Sequence, residues 1–240
     1  MRKPAGVRAK SEVLAAARRE RPPKRPRPAS PRLRIGERRE RILAKASEFF
    51  ADYGLTAQTR ALAEACGISQ RLLYRYFPSK AALIAEVYRH DIAGPFKAAW
   101  FARLADRTQP VAERLNAFYR EYYKAVLTRR WLRLFLYASL AEIDMAPTYI
   151  AEVVTRMLDL IVVEAAHELG LQPPEDVALR QELGWTLHGA VSHLAIRRLI
   201  YRNTNPTPVE EVLALQVRVF LAGLRAALPS KASARPEVVA

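Results

Sequence analysis

The residues between positions 70 and 75 combine side chains that can contact the edges of DNA bases. Arg71 and Arg75 can each pair with guanine through two hydrogen bonds, and Gln70 can pair with adenine in the same way. Leu72 can touch the methyl group of thymine. These residue types indicate base recognition, provided that a regular element presents them on one surface.

A helix would present these side chains to DNA if its opposite face were buried. Leu73 and Phe77 are four residues apart, so they would share one face of a helix and point inward. Tyr74, Tyr76 and Lys80 suit contact with backbone phosphates, which position a protein on DNA without specifying the sequence. The segment is therefore predicted to be a short helix with one buried side and one DNA-facing side.

The residues before position 70 have the spacing of a helix-turn-helix motif. Ala63 is small enough to face the second helix, and Gly67, four residues later, can adopt the left-handed conformation that the turn requires. Ser69 can cap the second helix with its side-chain oxygen, and Pro78 ends that helix. We interpret the pattern as a DNA-binding helix-turn-helix. The alternative is an ordinary helical hairpin with the same turn.

This segment also resembles the tetracycline-repressor (TetR) family of bacterial transcriptional regulators. The strongest likeness is in residues 73–83, which follow the family's L-Y-x-Y-F-x-S-K-x-x-L signature. The pair Tyr53-Gly54 and residues 60–63 match as well. The likeness is close from about residue 37 to residue 88, and the rest of the chain agrees with the family only in its run of helices.

The resemblance implies which residues contact DNA. Bases would be contacted by four residues of the recognition helix: Gln70, Arg71, Leu72 and Arg75. Phosphates would be held by Tyr74, Tyr76 and Lys80. The start of the preceding helix would add contacts from Gln58, Thr59 and Arg60, and Ser69 completes the candidate set at the helix cap. Residues 58, 71 and 72 differ from those common in the family, so no particular operator sequence is implied.

From Ile35 onward, apolar residues recur with a period near 3.6, and Gly or Pro residues fall between the apolar stripes. The pattern predicts an all-α protein with about nine helices, and the resemblance implies that a three-helix DNA-binding head is followed by a helical bundle. The predicted divisions are a disordered basic, Pro-rich arm over residues 1–35, a DNA-binding domain over 36–82, a domain over 83–228 that the resemblance assigns to ligand sensing and dimerisation, and a disordered tail over 229–240. A short helix at residues 12–20 is an option within the arm.

Aromatic side chains are dense between residues 96 and 149, which suits a cavity for a flat or apolar ligand. Core packing is the alternative for each of them. The candidate ligand-binding residues, which include polar partners, are Trp100, Asn116, Tyr119, Tyr122, Tyr123, Phe135, Tyr149, Trp185 and His188.

The chain carries 39 Lys and Arg against 24 Asp and Glu, a net charge of +15. Residues 1–35 alone contain 12 basic and two acidic residues. Clustered cations attract DNA phosphates without sequence preference. The arm therefore either strengthens DNA binding or is a solvated tail.

Several function classes find no support in the sequence. The single cysteine, Cys66, rules out an intrachain disulfide, and the four scattered histidines do not suggest a metal site. We find no catalytic constellation and expect no cofactor and no enzymatic activity. No membrane span or secretion signal is recognised, so the expected location is the cytoplasm.

The most direct interpretation is a sequence-specific transcriptional regulator. Two long helices near residues 177–202 and 209–228 are candidates for a dimer interface, because Gly184, Gly189 and Ala190 would permit close helix approach; burial inside the protomer is the alternative. The resemblance implies a homodimer. It also implies a palindrome-like operator and a repressor that an unknown small-molecule effector, apolar or aromatic, releases from DNA. The effector would act by shifting a fourth helix from Ser79 to about Trp100, with a bend near Gly94. The alternative is a basic architectural DNA-binding protein without a ligand response.

Overall fold

The structure, a computed structural model, describes residues 35–231 as a chain of helices. Within this range the only β-type pairing is an antiparallel bridge between Leu171 and Ser230. The all-α prediction is confirmed, and ten continuous helices are found where about nine were expected. The predicted basic arm, with its optional helix at residues 12–20, lies outside the described residues except for Ile35, and so do residues 232–240 of the predicted tail.

Four helices make up the N-terminal part of the described chain. They are α1 (Ile35–Tyr53), α2 (Thr59–Ala65), α3 (Gln70–Tyr76) and α4, which runs as an α-helix over Lys80–Val87 and continues as a π-helix over Tyr88–Ala93. The fourth helix was expected to reach Trp100, but it ends at Ala93. Pro95 follows two residues later and has no N–H to donate to a further helical turn.

Six helices form the C-terminal bundle. They are α5 (Ala99–Ala105), α6 (Val111–Ala125), α7 (Arg129–Leu140), α8 (Met145–Tyr149, a π-helical segment Ile150–Val154, then Thr155–Glu168), α9 (Val177–Ala195, then a π-helical segment Ile196–Ile200) and α10 (Val209–Ala227). From Arg38 onward, the N-terminal helices and the bundle share one continuous apolar core. The sequence-predicted boundary at residue 83 therefore does not coincide with a gap in the apolar core.

Helix α9 packs closely against α8 at a glycine. A Cβ atom at Gly184 would lie 2.7 Å from the Cβ of Leu158, so only glycine fits there without movement of the neighbouring backbone. Gly184 was expected to allow another subunit to approach, but its close contact lies inside the protomer. Gly189 has open space around its Cβ position.

The end of the described chain is tied to the loop after α8. The N–H of Gln172 donates to the carbonyl of Pro229, and the N–H of Lys231 donates to the carbonyl of Gly170, each at 2.9 Å. Residues 229–231, which the sequence assigned to a disordered tail, are thus held by backbone hydrogen bonds.

Candidate functional site

Helices α2 and α3 form the helix-turn-helix that the sequence predicted. Gly67 lies between them with a φ of +68°, a left-handed conformation that favours glycine. The turn is closed by a hydrogen bond of 3.0 Å from the N–H of Ile68 to the carbonyl of Ala63. Leu73 and Phe77 are 1% and 2% exposed, which confirms that this side of α3 faces the core.

The opposite side of the motif faces solvent and carries the candidate DNA-contacting residues. The exposed members are Gln58, Arg60, Ser69, Gln70, Arg71, Tyr74 and Arg75. The half-buried members are Thr59, Leu72, Tyr76 and Lys80. All eleven candidates therefore have some accessible surface, and none is lost to the core.

A hydrogen-bond network holds several of these side chains in place. The Gln70 side-chain amide donates to the Thr59 hydroxyl at 3.1 Å, and that hydroxyl also lies 3.1 Å from the Tyr74 hydroxyl. The hydrogen bonds with Thr59 and Gln70 lower the pKa of the Tyr74 phenol. The Lys80 ammonium donates to the carbonyl of Ala57 at 2.8 Å, and its partial burial lowers its pKa. The network joins the starts of α2, α3 and α4 before any DNA is bound.

Other contacts at the motif set the helix starts or compete only weakly with DNA. The Ser69 hydroxyl accepts a hydrogen bond from the Leu72 N–H at 3.2 Å, so the predicted cap of α3 is confirmed. Arg60 pairs with Glu64 one turn away at 3.4 Å, but both side chains are largely exposed. Such a pair contributes only a few tenths of a kcal/mol, so it would yield readily to a phosphate.

In the bundle, seven of the nine candidate ligand-binding residues form one network of rings. They are Trp100, Tyr119, Tyr122, Phe135, Tyr149, Trp185 and His188. Tyr122 lies at the centre. Its ring centroid is 6.0 Å from that of Trp100 and 5.5 Å from that of His188, and its hydroxyl is 3.4 Å from the Tyr149 hydroxyl.

The other two candidates lie outside the ring contacts of this network. Asn116 is half-buried and lines an open groove of about 610 Å³ together with Trp100, Arg103 and Arg120. Tyr123 is half-buried on α6, and burial raises the pKa of its phenol. These two residues were grouped with the rings because the sequence shows density of a residue type but not which face of a helix each residue occupies.

Two polar atoms in the ring network have no hydrogen-bond partner among the described residues: the Tyr119 hydroxyl and the His188 Nδ1. Both side chains are buried. Burial raises the pKa of the Tyr119 and Tyr122 phenols well above their usual value and lowers that of His188 to about 4. At neutral pH this interior is therefore uncharged, and it offers unused hydrogen-bonding groups.

A buried junction between α1, α4 and α7 was not foreseen from the sequence. The Ser47 hydroxyl, fully buried on α1, donates to the Asp91 carboxylate in the π-helical part of α4 at 2.5 Å. Arg130 of α7 lies 3.4 Å from the same carboxylate. Serine and aspartate on amphipathic helices are usually solvent-exposed, and nothing in their spacing of 44 residues indicated a contact.

Helix α7 makes two further bonds at this junction. The Trp131 indole N–H donates to the carbonyl of Ile92 at 3.1 Å. The Arg133 guanidinium donates to the carbonyls of Ala51 and Asp52 at the end of α1. A cation at this position complements the negative end of the helix dipole. The bundle therefore holds both α1 and α4 through α7.

Between residues 35 and 231, no group of three or more His, Cys, Asp or Glu side chains is arranged to hold a metal ion. None of the helices described there is both long and apolar enough to cross a membrane.

The N-terminal helices are similar to a family of known proteins. Residues 42–87 match the model of a family described as bacterial regulatory proteins, tetR family. No curated protein matches the sequence.

Solved structures match over most of the chain. A TetR-like transcriptional regulator from Rhodococcus sp. RHA1 superposes with a TM-score of 0.60 at 20% identity, covering 80% of this chain and 100% of that one. The fatty acid degradation regulator FadR from Bacillus halodurans gives 0.59 at 15% identity, covering 80% and 99%. The TetR family regulator PfmR from Thermus thermophilus gives 0.56 at 23% identity, covering 77% and 98%. These likenesses show the fold, and with the match of residues 42–87 they confirm the resemblance found in the sequence.

Proposed function

We propose that this chain, a member of the TetR family by its DNA-binding region, is a dimeric, sequence-specific transcriptional repressor that a small-molecule effector releases from its operator. The observation that supports the proposal is the solvent-facing side of α3, where two candidate DNA-contacting side chains, Gln70 and Tyr74, are held by hydrogen bonds to Thr59. We assign DNA binding to residues 36–82, and sensing and dimerisation to residues 83–228. The protein would act in the cytoplasm by binding rather than by catalysis.

In this proposal α3 enters the major groove of the operator. Arg71 and Arg75 extend from its exposed side and would donate to guanine, and Gln70 would contact adenine. Tyr74 and Lys80 border a cleft between α2, α3 and α4, where a phosphate oxygen would meet their hydroxyl and ammonium groups. The ordered network reduces the side-chain entropy that binding would otherwise cost.

A homodimer would supply the second recognition helix. Helices α9 and α10 leave apolar side chains in solvent: Val177, Leu179, Leu215 and Val219 are each between 49% and 62% exposed. Leu215 and Val219 are four residues apart, so they share one face of α10. We propose that these helices pair with their copies around a two-fold axis. The two recognition helices would then lie about 34–36 Å apart on a palindrome-like operator, or farther apart by one more helical turn of the DNA.

The effector would act through α4. The ring network reaches Trp131, whose ring stacks on Phe135 at 4.6 Å and whose N–H is bonded to Ile92. A ligand among the rings that favours another packing of α7 would therefore displace the end of α4 and the spacing of the DNA-binding heads. The size of the response would equal the difference in the ligand's affinity for the two arrangements.

The test is selection of DNA by the purified full chain from a random duplex library at near-physiological salt, followed by sequencing. We expect an enriched two-fold palindrome. Arg71→Ala should relax the base preference at one position of each half-site, whereas Tyr74→Phe should weaken binding to all sequences alike. Unchanged selection and affinity with both variants would show that α3 is not the recognition helix.

The excess of basic residues before position 36 favours a second candidate, a basic architectural DNA-binding protein. Such a protein would bind any duplex with an affinity that falls steeply with salt. The two proposed functions can be distinguished by measuring the affinity of the full chain for the selected operator and for a scrambled duplex at several salt concentrations. Equal affinities and equal salt slopes would favour the architectural function.

A further inference from the structure

We infer that the bundle binds an uncharged effector with a flat, aromatic body and a neutral hydrogen-bonding group, and that Tyr119 and His188 are the residues that hold this group. The inference rests on the proposed function, because it names the chemical class of the effector of that same sensor.

The two residues lie on different helices, and their rings are neighbours. Tyr119 is on α6 and His188 is on α9, and their ring centroids are 6.1 Å apart. They are 0% and 3% exposed. The Tyr119 hydroxyl can donate or accept, and the neutral imidazole offers a donor and an acceptor according to its tautomer. One small carbonyl, hydroxyl or ester group could therefore bond to both.

Neither atom has a partner in the described protein, although the great majority of buried polar atoms do. A buried hydrogen-bonding group without a partner destabilises the fold. A molecule that supplies hydrogen-bond partners to both groups removes both of these destabilising contributions when it binds. This arrangement favours a ligand with a polar group over a purely apolar one.

The surroundings of the pair favour an aromatic body. Rings of Tyr122 and Trp185 lie 5.5 Å and 5.3 Å from that of His188, and Phe118 lies 4.9 Å from Tyr119. Two of these three contacts are edge to face, the geometry in which the ring of an aromatic ligand would pack among them.

The electrostatics exclude a charged ligand. Among the described residues, the buried charged side chains are Asp91, Arg114 and Glu164. Asp91 is bonded to Ser47, and Arg114 and Glu164 are paired with each other at 3.1 Å. No buried charge in this part of the chain is left to compensate a carboxylate or an ammonium group, so either would lose its hydration without a counterion.

The half-buried carboxylate beside Trp100 also has partners within the protein. Glu121 accepts a hydrogen bond from the Trp100 indole at 2.8 Å and pairs with Arg103 at 2.7 Å. It therefore does not offer a site for a cationic ligand, and the Trp100 N–H is not available to an anion. This interior therefore suits a neutral ligand.

The experiment uses a panel of naphthalene derivatives that share one ring system and differ in a single substituent. The methyl ester, methyl ketone and hydroxymethyl compounds are neutral, and the carboxylate and aminomethyl compounds are charged at neutral pH. Binding to the full chain is measured by isothermal titration calorimetry and by the shift in unfolding temperature. We expect the neutral members to bind at least about tenfold more tightly than both charged members.

Two variants locate the binding. Tyr119→Phe removes one hydroxyl and keeps the ring, and it should weaken the neutral members about tenfold while the unloaded protein unfolds at the same temperature or higher. Tyr123→Phe makes the same chemical change outside the ring network and should leave binding unchanged. A loss of similar size in both variants would overturn the assignment to Tyr119.

Other outcomes also decide the question. If the carboxylate binds as tightly as the ester, or if no neutral member binds, the inference is wrong and the ring network is packing alone. The operator selection is independent of this panel. A selected palindrome with no binding of neutral members would leave the proposed function in place and overturn only the inference about the effector.

Discussion

Ser69 caps the start of α3 with one hydrogen bond, from the N–H of Leu72 to its hydroxyl. Because α3 has only seven residues, this cap satisfies a large share of its free N–H groups. We predict that Ser69→Ala lowers the free energy of unfolding by about 1 kcal/mol. Urea denaturation at neutral pH would measure the change.

Gln58 offers a matched control for this prediction, because it occupies the corresponding position before α2 without making a side-chain cap. Gln58→Ala should change the free energy of unfolding by less than about 0.5 kcal/mol. Equal losses from the two substitutions would show that the cap of α3 does not account for the effect.

His188 makes the stability of the protein depend on pH. Burial lowers its pKa from the ordinary 6.5 to about 4, so below pH 6.5 the unfolded chain binds a proton that the folded chain does not. The stability that comes from keeping this residue neutral is complete above pH 6.5 and is lost as the pH falls toward 4. Between about pH 7 and pH 5 the expected loss is about 2 kcal/mol.

The variant His188→Leu isolates this contribution from that of other titrating groups. Between about pH 7 and pH 5, the free energy of unfolding should decrease in this variant as well. The decrease should be smaller than in the unmodified chain by about 2 kcal/mol. His167→Leu, the same substitution at an exposed position of α8, is the control. An unchanged slope in His188→Leu would contradict a buried neutral imidazole.

At the scale of helices, the π-helical end of α4 is where the DNA-binding part meets the bundle. Asp91 lies in this segment, and the buried Ser47 of α1 donates to its carboxylate. The contact fixes the rotation of α4 relative to α1. We predict that Ser47→Ala lowers the free energy of unfolding by about 1–3 kcal/mol, because a buried carboxylate loses a donor.

Ser139→Ala is a control for the same chemical change, because the Ser139 hydroxyl is exposed and bonds to the Phe135 carbonyl of its own helix. Its effect should stay within about 0.5 kcal/mol. Urea denaturation measured by circular dichroism gives both values. A loss in Ser47→Ala no larger than in the control would mean that the junction adds nothing to stability.

Some features of the helices could be predicted from the sequence and others could not. The turn at Gly67, the cap at Ser69 and the inward side of α3 were predicted correctly, because each depends on residues within one or two turns of each other. The end of α4 and the partner of Gly184 were not. Pro95 ends α4 locally, whereas the partner of Gly184 depends on a contact between helices, and a helical period does not say which neighbour a buried face meets.

The candidate sensor residues show the same limit. The density of aromatic residues located the ring network, yet it could not separate Tyr123 from Tyr122, its neighbour in the sequence. Adjacent residues on a helix point about 100° apart, so one is buried among rings and the other is not. The junction of Ser47 and Asp91 left no sequence signal, since each residue has the polarity of a surface position.

For the whole molecule, the decisive property is the proposed dimer. Val219 is 62% exposed on α10, within the apolar surface that we assign to the interface. We predict that Val219→Glu gives a folded monomer and weakens operator binding at least about tenfold, because each half-site is then bound separately. Analytical ultracentrifugation and operator titration would measure the two effects.

Leu140 provides the control for this substitution. It is 82% exposed at the end of α7, away from α9 and α10 in sequence, and Leu140→Glu should leave both the mass and the operator affinity unchanged. A dimer that persists in Val219→Glu would place the interface elsewhere.

The positions of the tryptophans give the protein an intrinsic optical reporter. The chain has three, Trp100, Trp131 and Trp185, all in the bundle and all in the ring network. Trp131 is bonded to Ile92 at the end of α4, so its emission would change if that helix moved. Because residues 36–93 contain no tryptophan, tryptophan fluorescence would follow the sensor and its connection to α4 without a label and without a signal from the DNA-binding helices.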